Sequence, residues 1–144
     1  MENAKTLVDS SARREVVSRL LSGESAVWVL IESGNKEKDD RAMIEIEKAI
    51  AKAEAELKIP DGVSTVAEAR KVSAGNERDL NATLRSAIPL KIQFSLIRIA
   101  RSNPGEASFR AMVLHLESDR GEVRNEPGGV PVCGRGRGVV PVIA

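Results

Sequence analysis

Five stretches of the chain carry a clear hydrophobic rhythm, and the rhythm alternates between a helical and an extended period. In the first, Ala12, Val16, Val17, Leu20 and Leu21 recur at helical spacing, which predicts an amphipathic helix over residues 9–21. Asp9 or Ser10 stands where a short side-chain oxygen can cap the first-turn amides, and Gly23 stands where the helix should stop. Next comes Ala26-Val27-Trp28-Val29-Leu30-Ile31, an almost unbroken apolar run between two Ser/Gly-containing segments. It is too short for an independent helix and rich in β-branched residues, so it predicts a strand. Apolar side chains on both of its faces predict burial on both sides, as in the central strand of an α/β sheet.

A second helical pattern runs from Asn35 or Asp39 to Leu57. Ala42, Met43, Ile46, Ala49, Ile50, Ala53 and Leu57 fall on one face, and Glu45, Glu47, Lys48, Lys52, Glu54 and Glu56 on the other. Glu37, Asp39 and Asp40 sit in the first turns, where negative charge complements the helix dipole. A strand, a tight Gly-containing loop and a long amphipathic helix form the first half of a βαβ unit. Residues 90–99 predict a second strand beside the first, with Ile92, Phe94 and Leu96 on one face. Asn103-Pro104-Gly105-Glu106 then reads as a helix start, and Phe109, Met112, Val113 and Leu116 as the core face of the helix that follows, ending near Leu116 to Ser118.

Two regions break the rhythm. Residues 59–90 open with the turn Ile59-Pro60-Asp61-Gly62 and continue with weak periodicity, which predicts a surface insertion or mobile loop holding a short helix near 65–73. The tail changes composition: six of the eleven glycines and three of the six prolines lie at or after Gly121. There, 130–133 and 139–143 flank Gly134-Arg135-Gly136-Arg137-Gly138, which predicts a hairpin whose prolines confine both strands to edge positions. The whole is predicted to be a single α/β domain over residues 1–144, a small mixed sheet flanked by helices.

Composition narrows the chemistry. With 22 basic and 21 acidic residues, the chain lacks the clustered basic surplus of a nucleic-acid binder. Trp28, Phe94 and Phe109 are its aromatic residues, too few for a base-stacking surface. One cysteine (Cys133) and one histidine (His115) exclude an internal disulfide and a Cys/His zinc site. No segment has the roughly 18 consecutive apolar residues of a membrane span, and the first residues lack the apolar core of a secretory signal. As given, the chain reads as cytoplasmic. No metal set and no cofactor loop are identified.

Three features remain as candidates. The Gly-Arg run could hold an anion or nucleotide through freed amides and the guanidinium groups of Arg135 and Arg137. It lacks the Lys-Ser/Thr and the following helix of a phosphate loop, so a hairpin turn with solvated arginines is the competing reading. Cys133 could serve as a single-cysteine redox centre activated by Arg135 or Arg137; against that stands an inert, strand-buried thiol. His115 has no partner identifiable from sequence, and the pair Asp39-Asp40 reads as helix-start charge rather than as metal ligands.

Ser10-Ser11-Ala12-Arg13-Arg14-Glu15, residues 21–34, Ile92-Gln93-Phe94-Ser95-Leu96-Ile97-Arg98 and Pro131-Val132-Cys133-Gly134-Arg135-Gly136-Arg137 together resemble a family of uncharacterised, typically exported bacterial proteins with a thioredoxin-like domain. The resemblance implies a thioredoxin-like layout and no established activity. It puts Pro89 where such folds often carry a cis-proline. The loop after the first strand reads Ser33-Gly34-Asn35-Lys36, so the Cys-x-x-Cys of dithiol exchange is missing. The resemblance also implies that an export signal and a first strand belong upstream and that the chain is truncated at both ends. The function expected from all this is a non-catalytic protein-interaction or structural domain, paired with a protein partner or a second copy through an exposed sheet edge.

Overall fold

A computed structural model describes residues 10–59, 88, 91–115, 126–134 and 137–138. The predicted insertion at 59–90, its helix near 65–73 and Pro89 therefore lie almost wholly outside the described residues. Within them the order of elements is α1 (Ser11–Leu21), β1 (Ala26–Ile31), α2 (Lys36–Glu56), β2 (Phe94–Ile99), a 3-10 turn (Pro104–Glu106), α3 (Ala107–His115), β3 (Gly128–Cys133) and β4 (Arg137–Gly138). This is the α/β class with a small mixed sheet that the periodicity predicts.

The strand order is β2-β1-β3-β4. β2 runs parallel to β1, with Ala26 opposite Phe94 and Ile31 opposite Ile99. β3 runs antiparallel to β1, with Val29 opposite Val130, and β4 runs antiparallel to β3. Residues directly opposite one another share a face of the sheet. One face therefore carries Val27, Val29, Ile31, Ile97, Ile99 and Val130, which form one core with Ala12 and Val16 of α1 and Phe109 and Val113 of α3. The other face carries Trp28 and Gly129, and α2 lies over it: a Cβ on Gly129 would stand 2.8 Å from Ile46 Cδ1 and 3.7 Å from the Trp28 ring. Gly129 is thus the residue that lets the long helix come down onto β3.

Each helix starts for a local reason. Ser10, in extended conformation, accepts from Arg13 N–H at 3.2 Å and its carbonyl from Arg14 N–H at 3.0 Å. α1 ends where Gly23 turns to φ 104°, a left-handed conformation that costs glycine little. Asn103 caps the 3-10 turn through Gly105 N–H, with Pro104 in the first position.

The differences from expectation have physical causes. β2 begins at Phe94 rather than Leu90. The stripe on α1 divides: Ala12 and Val16 are buried and Leu20 packs against the core, whereas Val17 and Leu21 are 48% and 62% exposed. At ~1.5 Å per residue the 21-residue α2 is about 31 Å long, against roughly 20 Å for a six-residue strand. It overruns the sheet, and its one fully buried residue is Asp39 rather than any member of the apolar face. β3 is also not an edge strand, since it lies between β1 and β4. Pro131, opposite Trp28, fits there because β4 pairs only with Val132 and Cys133. On that side nothing among the described residues asks Pro131 for the N–H it lacks.

β2 is an edge, and its outward backbone is partly occupied. Phe94 N–H donates to Glu54 Oε1 at 2.8 Å, and Leu96 C=O accepts from Arg19 Nη1 at 3.3 Å. Side chains from both helices thus plug an edge that would otherwise template another strand.

Candidate functional site

In open α/β sheets the ligand crevice lies beyond the carboxyl ends of the parallel strands, at the N-terminus of the connecting helix. Here that place is formed by Glu32, Ser33, Gly34 and Asn35, between β1 and α2. Gly34 takes φ 93°, and Asn35 Oδ1 accepts from Glu37 N–H at 3.1 Å and Lys38 N–H at 3.2 Å, capping α2. Asp39, one turn inside the helix and 3% exposed, reaches back over the loop. It accepts from Ser33 N–H at 2.7 Å, Ser33 Oγ at 2.8 Å and Gly34 N–H at 3.1 Å. The amides that such a turn would offer to a phosphate are held by the chain's own carboxylate.

The charges around this loop are committed to one another as well. Arg98, on β2, donates to Glu32 through Nε at 2.7 Å and to Asp40 through Nη2 at 3.4 Å. Lys36 Nζ donates to Asp40 at 3.0 Å. The Lys36 hydrogen bond is the main reason Asp40's carboxyl titrates below its ordinary value, and Glu32 chiefly holds the Arg98 guanidinium further above its own. Arg101 completes the rim by donating to the carbonyl of Glu32 at 3.1 Å.

A second internal carboxylate sits across the sheet. Glu106 closes the 3-10 turn yet is 4% exposed, because it points at the start of α1. Its Oε1 accepts from Ser11 Oγ at 2.7 Å and from Ala12 N–H at 2.9 Å, and its Oε2 is buried without a partner. Burial pushes the carboxyl up. Hydrogen bonds from Ser10, Ala12 and Ser11 together outweigh that, so it titrates below its ordinary 4.5.

The residues singled out by sequence fall elsewhere. Cys133 ends β3, half-buried, opposite Ala26 on one side and Arg137 on the other. Arg137 opens β4, so strand pairing starts inside the Gly-Arg run, and the turn is shorter than the predicted five-residue connection. Arg135 lies outside the described residues. His115 is the last residue of α3. The two acids that organise the loops were not candidates. Asp39 carries a helix-start signal in the sequence and is buried instead, because its carboxylate turns back over the loop to accept from Ser33 and Gly34. Glu106 carries a local helix-start signal in the sequence; its bonds to Ser11 and Ala12 span 95 and 94 residues, a separation no local pattern announces.

Among the described residues, no group of three or more His, Cys, Asp or Glu could hold a metal ion, and no helix is long and apolar enough to cross a membrane. No family model, curated protein or solved structure matches the chain.

Replacing Asp39 with Ala strands three donors at once, two of them backbone. We expect a loss of roughly 2–3 kcal/mol in urea unfolding, whereas Arg98→Met, which removes a partly exposed pair, changes stability by under about 1 kcal/mol. Equal effects would contradict the difference in burial. For Glu106, a native pKa below the unfolded one means stability that is complete above the ordinary value and drains away as pH falls through the lower native value. The pH dependence of unfolding should accordingly be shallower in Glu106→Gln than in wild type on the acid side of pH 4.5, and identical slopes would remove that assignment.

Proposed function

We propose that the chain is a non-catalytic protein-interaction or structural domain with a thioredoxin-like layout and no dithiol chemistry. One observation carries this reading: in the crevice where an α/β sheet of this kind would take a ligand, Asp39 occupies the loop amides, and Glu32, Asp40 and Lys36 satisfy Arg98 and one another. The place equivalent to a dithiol is Ser33-Gly34-Asn35-Lys36, where the Ser33 hydroxyl is spent on Asp39. The layout is supported by the order helix, strand, helix, strand, helix and antiparallel pair.

The partner is a protein or a second copy of the chain. Engagement of Phe94 and Leu96 by Glu54 and Arg19 weakens the case for pairing along the β2 edge and favours the helical side. There Val17 and Leu21 of α1 are exposed, and Met112 of α3, 49% exposed, accepts from Arg13 one turn away from Val17. Grouped exposed apolar side chains of this kind mark contact surfaces. Native mass spectrometry of the protein under mild conditions should show a complex, weakened in Leu21→Glu with no fall in the thermal midpoint. A strictly monomeric, partnerless protein would overturn the proposal.

One observation favours a second reading, a single-cysteine redox protein. Strand register sets Arg137 directly opposite Cys133. If the pair acts together, iodoacetamide should alkylate Cys133 more slowly in Arg137→Ala than in wild type at neutral pH. Equal rates would end this reading. No comparable observation favours anion binding at Gly134–Gly138.

A further inference from the structure

The outward side of α1 carries a mixed apolar and charged stripe. At the helical period Arg14, Val17, Ser18 and Leu21 fall opposite the buried Ala12 and Val16, and all four are exposed. Glu24 stands just past the end of the helix. Its N–H returns to the Arg19 carbonyl at 3.3 Å, which keeps it against the last turn, and its Oε2 accepts from the Ser95 hydroxyl. Ser95 pairs with Val27, on the α1 side of the sheet, so the Glu24 carboxylate lies on that side too. It is half-exposed and has no ion-pair partner among the described residues. Glu15, the acid within the helix, is taken by Arg19 at 2.8 Å.

These positions are symmetric. Val17 and Leu21 lie two residues either side of Arg19, and Arg14 and Glu24 five residues either side. We propose that this face docks a second copy of the chain, α1 against α1, antiparallel about a two-fold axis at Arg19. Val17 of each copy then meets Leu21 of the other, and Arg14 of each meets Glu24 of the other. Apolar contact and charge complementarity come from one register. Sliding α1 by a turn would set Val17 or Leu21 against itself and separate both ion pairs. Ser18, beside the axis, is small enough for the helices to approach. Arg19 turns aside to Glu15 and the Leu96 carbonyl, so like charges do not meet on the axis. The antiparallel setting also opposes the two helix dipoles. The proposal rests on the interaction reading above and names what is docked. So narrow a contact falls below the roughly 800 Å² per partner of standard stable complexes, which makes the dimer a weak one.

Sedimentation equilibrium of the protein up to roughly 1 mM, where weak dimers populate, should show a monomer–dimer equilibrium. Arg14→Glu and Glu24→Arg should each weaken it about tenfold or more, because like charges then face one another twice. An equimolar mixture of the two variants should recover dimers as tight as wild type, since both contacts across the mixed pair are again opposite in charge. Glu24→Gln, which leaves Ser95 an acceptor, should flatten the dependence of association on salt, and it serves even if Glu24→Arg does not fold. A wild type monomeric throughout, variants that associate like wild type, or a mixture of folded variants with no more dimer than its components would overturn the proposal. So would an unchanged salt dependence in Glu24→Gln. None of these touches the interaction reading while native mass spectrometry still shows a complex; that reading falls only with a partnerless monomer.

Discussion

Everything in this fold is arranged around the burial of β1 on both faces. Val27, Val29, Leu30 and Ile31 are completely removed from solvent, which a six-residue strand achieves only when helices cover the sheet on each side. α1 and α3 close one face through Ala12, Val16, Phe109 and Val113. α2 closes the other, over Trp28 and Gly129. Parallel β2 on one flank and antiparallel β3 on the other then satisfy the backbone of β1, so the central strand has no free hydrogen-bonding edge.

Two buried carboxylates meet the polar cost of that packing. Closing α2 over the sheet forces the loop after β1 into a tight reversal at Gly34, and the loop's donors find their acceptor in Asp39. Docking α1 beside β2 buries the first amides of that helix, and Glu106 supplies their acceptor from the turn that leads into α3, on the same face of the sheet. Asp39 uses both oxygens on the loop after β1, so the loop's amides are closed to an anion. Glu106 Oε1 holds the Ser11 hydroxyl and the Ala12 N–H at the start of α1.

The charged side chains at the sheet margin act differently. Arg98, Glu32, Asp40 and Lys36 are partly exposed, and water already screens their attraction. Their contribution lies in occupying positions: they take up each other's valences around the α2 N-terminus. Arg19 and Glu54 do comparable work along β2, where single bonds to Leu96 and Phe94 interrupt the run of free peptide groups.

The order of elements was legible in the residues because it rests on local causes. The apolar run Ala26–Ile31, the 3.6-residue rhythm of α2, the Ser10 and Asn35 caps, the turn at Gly23 and the Asn103-Pro104 start each act within a few positions. The candidate site was legible only in part. Cys133 and Arg137 appeared in the sequence as neighbours in a Gly-rich run, but their facing positions come from β3–β4 register. Asp39 and Glu106 looked like ordinary helix-start acids, and nothing local separates a solvated acid from a buried one. Tertiary structure decided that β3 would insert beside β1 with Pro131 inside it, that Val17 and Leu21 would stay exposed while Val16 was buried, and that two acids would become internal acceptors. The reason is physical: helix and strand periods depend on neighbours one turn or one pleat away, whereas burial and unmet hydrogen bonds depend on segments far apart in the chain, as Ser11 and Glu106 are at 95 residues.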